Sequence, residues 1–92
     1  MRFGHRIKEL RSQKKLYLKE VAASTGMDIG LLSKIERGNR TARREQVIAF
    51  AKAYDQDPTE LEEKWLIDKV VDIVYEHPDA IKILKQAIKE LK

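Results

Sequence analysis

The stretch "EVAASTGMDIGLLSKIERG", Glu20 to Gly38, holds two short helical patterns with a glycine between them. Leu18 to Ser24 reads as a helix with Val21 and Ala22 turned inward. Gly26 follows it, the residue type that adopts the left-handed conformation past a helix end without a Cβ clash. Asp28 then stands where a carboxylate can accept from the free amides of the next first turn. Leu32 and Ile35, three apart, face inward, and Gly38 ends this second pattern. The first turn of the second helix is locally costly. An exposed Ile29 gains nothing by burial, and Gly30 inside a helix costs roughly 1 kcal/mol relative to alanine. What that turn touches is the question the sequence poses.

Working outward, every periodic segment is helical. Phe3, Ile7 and Leu10 recur at helical spacing between Arg6, Lys8, Glu9 and Arg11, predicting a first helix over residues 2 to 14, with Leu16 anchoring the turn after it. Val47, Ile48, Phe50, Ala51 and Tyr54 form the apolar face of a fourth helix over 43 to 54. Asp57-Pro58-Thr59-Glu60 opens a fifth with a capping acid, a proline in the first helical position and a glutamate three residues after the cap. Its apolar residues run from Leu61 and Trp65 to Tyr75, and Pro78 breaks it. A last helix spans Asp79 to Leu91, with Ile81, Leu84, Ile88 and Leu91 spaced as a packing seam. The fold class is therefore all-α.

Ninety-two residues make one domain at most, with a modest core that leaves room for a partner subunit. No apolar run approaches the roughly 18 residues of a bilayer span, and the polar start does not resemble a signal peptide, so a cytoplasmic protein is expected. The absence of cysteine removes disulfides, thiolate zinc sites and thiol nucleophiles. His5 and His77 stand alone, and no glycine-rich phosphate loop or metal-ligand pair occurs, so neither enzyme nor cofactor is expected. Charge is divided unevenly. Residues 1–46 hold twelve Lys and Arg against five Asp and Glu, whereas residues 47–92 hold seven against ten. A basic half joined to an acidic one suits a polyanion-binding face and a second surface that avoids the polyanion; a solvated charged surface is the plainer reading.

Two helices joined by a tight glycine-containing turn, the second capped and followed by a basic loop, form the arrangement that lays a helix into the major groove of double-stranded DNA. Residues 3 to 61 resemble the Cro and phage-repressor type of helix-turn-helix domain, also called the xenobiotic-response-element family. The matching residues are Ile7 and Leu10 of "RIKELR", Leu16, "EVAASTG" at Glu20–Gly26, "LLSKIERG" at Leu31–Gly38, "VIAFAKAY" at Val47–Tyr54 and "DPTEL" at Asp57–Leu61. The resemblance implies a five-helix, lambda-repressor-like DNA-binding domain over residues 1–61, continuous with a helical dimerisation extension over 62–92.

The resemblance also implies which residues meet DNA. The first turn of the third helix directs Asp28, Ile29, Gly30, Ser33 and Lys34 at base edges. Ile29 can touch a thymine methyl, Gly30 lets the backbone approach, Lys34 can donate to guanine and Asp28 can accept from cytosine. Alternatively, Ile29 packs on a neighbouring helix. Arg37, Asn39, Arg40, Arg43 and Arg44 surround the loop that touches the sugar-phosphate backbone, where contacts set register and carry little sequence information. Arg43 or Arg44 can instead enter a narrow minor groove. Glu36 is expected to orient an arginine within the domain. Two departures stand out. Tyr17 and Leu18 replace the serine or threonine and glutamine frequent at the second helix, leaving Tyr17 or Lys19 to reach the phosphate. Ala42 stands where proline often follows the loop, which predicts a looser loop.

The extension carries more apolar surface than one small domain can cover. Leu66, Val70, Ile73 and Val74, with Ile81, Leu84 and Ile88, are the expected homodimer interface, burying against symmetry mates. The alternative is a monomer whose last helix folds back. Sequence-specific binding of an inverted repeat as a dimer is the expected function. The other open reading is an antitoxin-type regulator whose C-terminal helices hold a protein partner. No small-molecule ligand and no membrane contact are expected.

Overall fold

Each apolar period becomes a helix in the computed structural model, which describes residues 2–92. In chain order these are α1 (Arg2–Gln13), α2 (Leu18–Thr25), α3 (Ile29–Glu36), α4 (Arg44–Ala53), α5 (Pro58–Val74) and α6 (Ala80–Glu90). Among the described residues there is no strand. Packing is between α1 and α3, α1 and α5, α2 and α3, α2 and α4, and α4 and α5, so the first five helices enclose one core. Ile7, Val21, Leu32, Val47, Phe50 and Tyr54 are its fully buried centre. Phe50 stacks on Tyr54 at 6.0 Å between ring centroids and receives Phe3 edge-on at 6.4 Å. Each such side chain contributes roughly 1.5–3 kcal/mol by leaving water.

The helix ends follow their caps. Gly26 and Gly38 take positive φ, +72° and +78°. Asp28 Oδ2 accepts from the Leu31 amide at 3.1 Å, and Asp57 Oδ1 from the Thr59 amide at 2.8 Å, with Pro58 opening α5. The ends of α1 and α4 are less regular, because Lys15 and Asp55 adopt the left-handed conformation without being glycine. Amides one residue further on close both ends, Leu16 onto the Arg11 carbonyl at 3.1 Å and Gln56 onto the Ala51 carbonyl at 2.8 Å. Lys14 and Asp55 pair between these two ends.

Two contacts join the start of the chain to the fold. A Cβ built on Gly4 would lie 2.2 Å from the Ile35 carbonyl oxygen, so only glycine lets α1 cross the end of α3 this closely. The Phe3 amide donates to the buried carboxylate of Asp68 at 2.9 Å, so α5 caps the first turn of α1. With Trp65 also buried, the core draws on α5 beyond residue 61. From Lys69 onward no residue is buried, and α6 packs on no helix as the first five do. The radius of gyration is accordingly 14.8 Å, against about 12 Å for a compact domain of this length.

Candidate nucleic-acid interface

α3 presents two faces. Leu32, Ile35 and Glu36 turn into the core, while Ile29, Gly30, Lys34 and Arg37 are exposed and Ser33 is half-buried. Helical spacing puts Ile29 with Ser33, and Gly30 with Lys34, four apart on adjoining outward rows. Ile29 is 48% exposed, so no neighbouring helix absorbs it. Asp28 is occupied as the cap through Oδ2, and its Oδ1 makes no hydrogen bond among the described residues. A Cβ on Gly30 would stand 2.9 Å from that capping oxygen. Glycine there therefore gives the cap its room, a local cause in addition to any approach of the backbone to a ligand.

The orientation of α3 is set from beneath by a fork of charge. Arg11 Nε donates to Glu36 Oε2 at 2.7 Å and Nη2 to Oε1 at 3.1 Å, while Nη1 donates to the Leu16 carbonyl at 2.9 Å. One guanidinium thus ties α1, the α1–α2 turn and the end of α3. Planar two-point pairing of this kind fixes geometry as well as energy. The hydrogen bond to Glu36 raises the Arg11 pKa above its ordinary value against the opposing effect of burial. Glu36 does orient an arginine within the domain, as expected. The arginine is Arg11, which the α1 period places among the outward residues.

The polar and cationic groups expected at the phosphates follow one another between α3 and α4. Arg37 caps the C-terminus of α3, Asn39 and Arg40 follow in the loop, and Arg43 caps α4, its amide donating to Gln46 Oε1 at 2.8 Å. All four are exposed. Arg44 differs, because its Nη1 lies 2.8 Å from Glu62 Oε1 and its guanidinium carbon sits 5.4 Å from the centre of the Trp65 ring. Tyr17 and Lys19 are exposed at the start of α2, where the Tyr17 amide donates to Glu20 Oε1 at 2.8 Å. No side chain of Tyr17 caps that helix, and its ring is 70% exposed.

The loop that the missing proline led us to expect loose carries a restraint of another kind. Ala42 is buried, and its carbonyl accepts from Trp65 Nε1 at 2.9 Å. A proline would have stiffened the loop through its ring; here the α5 indole restrains it from outside. Lys69, one turn along α5, lies 4.0 Å over the same ring. Asp68, Trp65 and Lys69 were not anticipated as parts of this region, since periodicity identifies Trp65 as apolar and nothing in its spacing names a carbonyl 23 residues away.

The residues expected to form a homodimer interface are uncovered. Leu66, Val70, Ile73, Ile81 and Ile88 are exposed, while Val74 and Leu84 are half-buried. No helix among the described residues is long and apolar enough to cross a membrane.

A scan against family models matches residues 2–63, two thirds of the chain, to a helix-turn-helix domain. No curated protein and no solved structure matches the chain. The matched span covers α1 to α4 and the first turn of α5, the elements that carry the outward face of α3 and the pinned basic loop, and on that match the chain belongs to the helix-turn-helix domain family.

Proposed function

We propose that this protein is a sequence-specific DNA-binding regulator that acts by equilibrium binding, without chemistry. The observation that carries the reading is the outward face of α3, unburied at Ile29 and Lys34 and continued by the cations Arg37, Arg40 and Arg43 on a loop held in place by Trp65. Asp28, Ile29, Gly30, Ser33 and Lys34 face the base edges. Tyr17, Lys19, Arg37, Asn39, Arg40 and Arg43 face phosphates, and Arg44 assists from its pairing with Glu62. Family membership supports the same partner. The protein works in the cytoplasm as a homodimer, joined through the uncovered faces of α5 and α6. Its two reading helices enter successive major grooves about 34 Å apart and recognise an inverted repeat.

Selection from a pool of random duplexes at about 150 mM salt tests this, because weak electrostatic binding is suppressed there. The expected outcome is an inverted repeat with half-sites about one helical turn apart. Lys34→Glu combined with Arg37→Glu should abolish binding to that repeat while helicity and dimer mass stay unchanged. Retained affinity would exclude α3 as the reading helix. The bare apolar face of α6 favours one second reading, an antitoxin-type regulator whose C-terminal helices hold another protein. That reading predicts no enriched motif from the isolated protein and recovery of one when the partner is added.

A further inference from the structure

α5 and α6 carry complementary halves of an interface that neither completes alone. α5 has five acids against two lysines, and α6 three lysines against one acid, so the acidic C-terminal half of the chain is acidic in α5 and basic in α6. On α5, Glu63, Leu66, Val70 and Ile73 follow one another at steps of three and four, so the exposed apolar stripe is continued by an acid towards the N-terminus, with Glu60 beside it. On α6, Ile81, Leu84, Ile88 and Leu91 form the matching stripe, edged by Lys85 and Lys89. None of Glu60, Glu63, Lys85 and Lys89 forms an ion pair among the described residues.

The turn between the helices is hydrogen-bonded within itself. The His77 amide donates to the Val74 carbonyl at 2.9 Å, the Ala80 amide to the His77 carbonyl at 3.1 Å, and the Asp79 amide to His77 Nδ1 at 3.0 Å, with Pro78 inside the turn. Past this turn α6 lacks the close helix packing of the first five, and the molecule reaches 43 Å in its long direction against 24 and 20 Å across.

We infer that the occupant of the α5 stripe is α6 of a second copy, and reciprocally, so that two protomers exchange their last helices. The four helices α5, α6 and their mates then form a small bundle with the apolar stripes inside and glutamates facing lysines at its edges. This rests on the homodimer reading above and gives it a pairing rule: α6 meets α5 of the partner, and neither helix meets its own copy. The exchange places the basic arm against the acidic helix.

Charge reversal tests the rule, with mass by light scattering and helicity by circular dichroism. One variant carries Lys85→Glu and Lys89→Glu; the other carries Glu60→Lys and Glu63→Lys. Each alone sets like charges against each other at both junctions and should weaken the dimer by about tenfold or more. Mixed in equal amounts, they should form a heterodimer with both junctions complementary. A single chain carrying all four substitutions should dimerise again by itself, which guards against loss through misfolding. Singly reversed variants that stay fully dimeric, or a mixture that stays monomeric, would overturn the exchange while leaving dimerisation itself intact. A wild-type protein that is monomeric at its highest attainable concentration would overturn both the exchange and the homodimer.

Discussion

Tyr54 is fully buried, yet its hydroxyl has no hydrogen-bond partner among the described residues. A buried polar group left unpaired costs about 1–3 kcal/mol, so Tyr54→Phe is expected to raise stability to urea by about 1 kcal/mol while keeping the stack on Phe50. Burial first, and then the Glu36 carboxylate, push the phenol up from 10.0 to about 12. The folded state thus holds the proton longer than the unfolded one. Its contribution is complete below pH 10 and is lost as pH rises from 10 towards 12. Unfolding curves at pH 7 and pH 11 should show a smaller alkaline loss in Tyr54→Phe than in the parent; equal losses would exclude Tyr54 as the source. Residues of this kind mark where sequence reading stops. The apolar face of α4 was legible from Val47, Phe50 and Ala51, because a helical period names the buried side. The period does not name a partner across the core, which is why Arg11 was unforeseen beneath Glu36 although an arginine was expected there.

At the scale of helices and loops, the restraint on the loop that we propose faces DNA comes from α5 through a single indole. Trp65→Phe keeps most of the apolar packing and removes the bond to the Ala42 carbonyl. It should cost about 1–3 kcal/mol of stability for the acceptor left buried. It should also weaken DNA binding about tenfold, since the loop must then be ordered on contact; each such ordered residue costs about 1–2 kcal/mol. Amide exchange in residues 39–42 that is no faster in the variant would exclude this role. Helix boundaries were legible wherever a cap is written in residue type, as at Asp28, Gly26 and Asp57-Pro58. They were less so where Lys15 and Asp55 perform glycine's office, because a left-handed lysine leaves no compositional mark. The indole restraint on the loop went unread for a related reason. The substitution of a local restraint by a distant one is invisible until α5 is folded against α4.

Over the whole molecule charge is divided: α1 to α4 are together basic, α5 is acidic and α6 basic again, with α5 belonging to the core that the first five helices enclose. A dimer presenting Lys19, Arg37, Arg40 and Arg43 from each protomer should displace several counterions on binding. Its affinity should then fall by about 10³ or more between roughly 50 and 200 mM salt. A titration that is nearly flat over that range would mean that these cations do not meet phosphate. The surplus of apolar residues after Leu61 was legible, whereas the hydrogen-bonded turn at His77 and Pro78 was read only as a proline break. The chain has one tryptophan, and that one is hydrogen-bonded to the loop between α3 and α4, with Lys69 over its ring. Excited at the red edge of its absorption, where the three tyrosines do not absorb, the unlabelled protein emits from a single place. A ligand that shifts the loop changes the polarity and quenching around the indole, and stopped-flow emission can time the docking of the loop independently of the arrival of α3 in the groove.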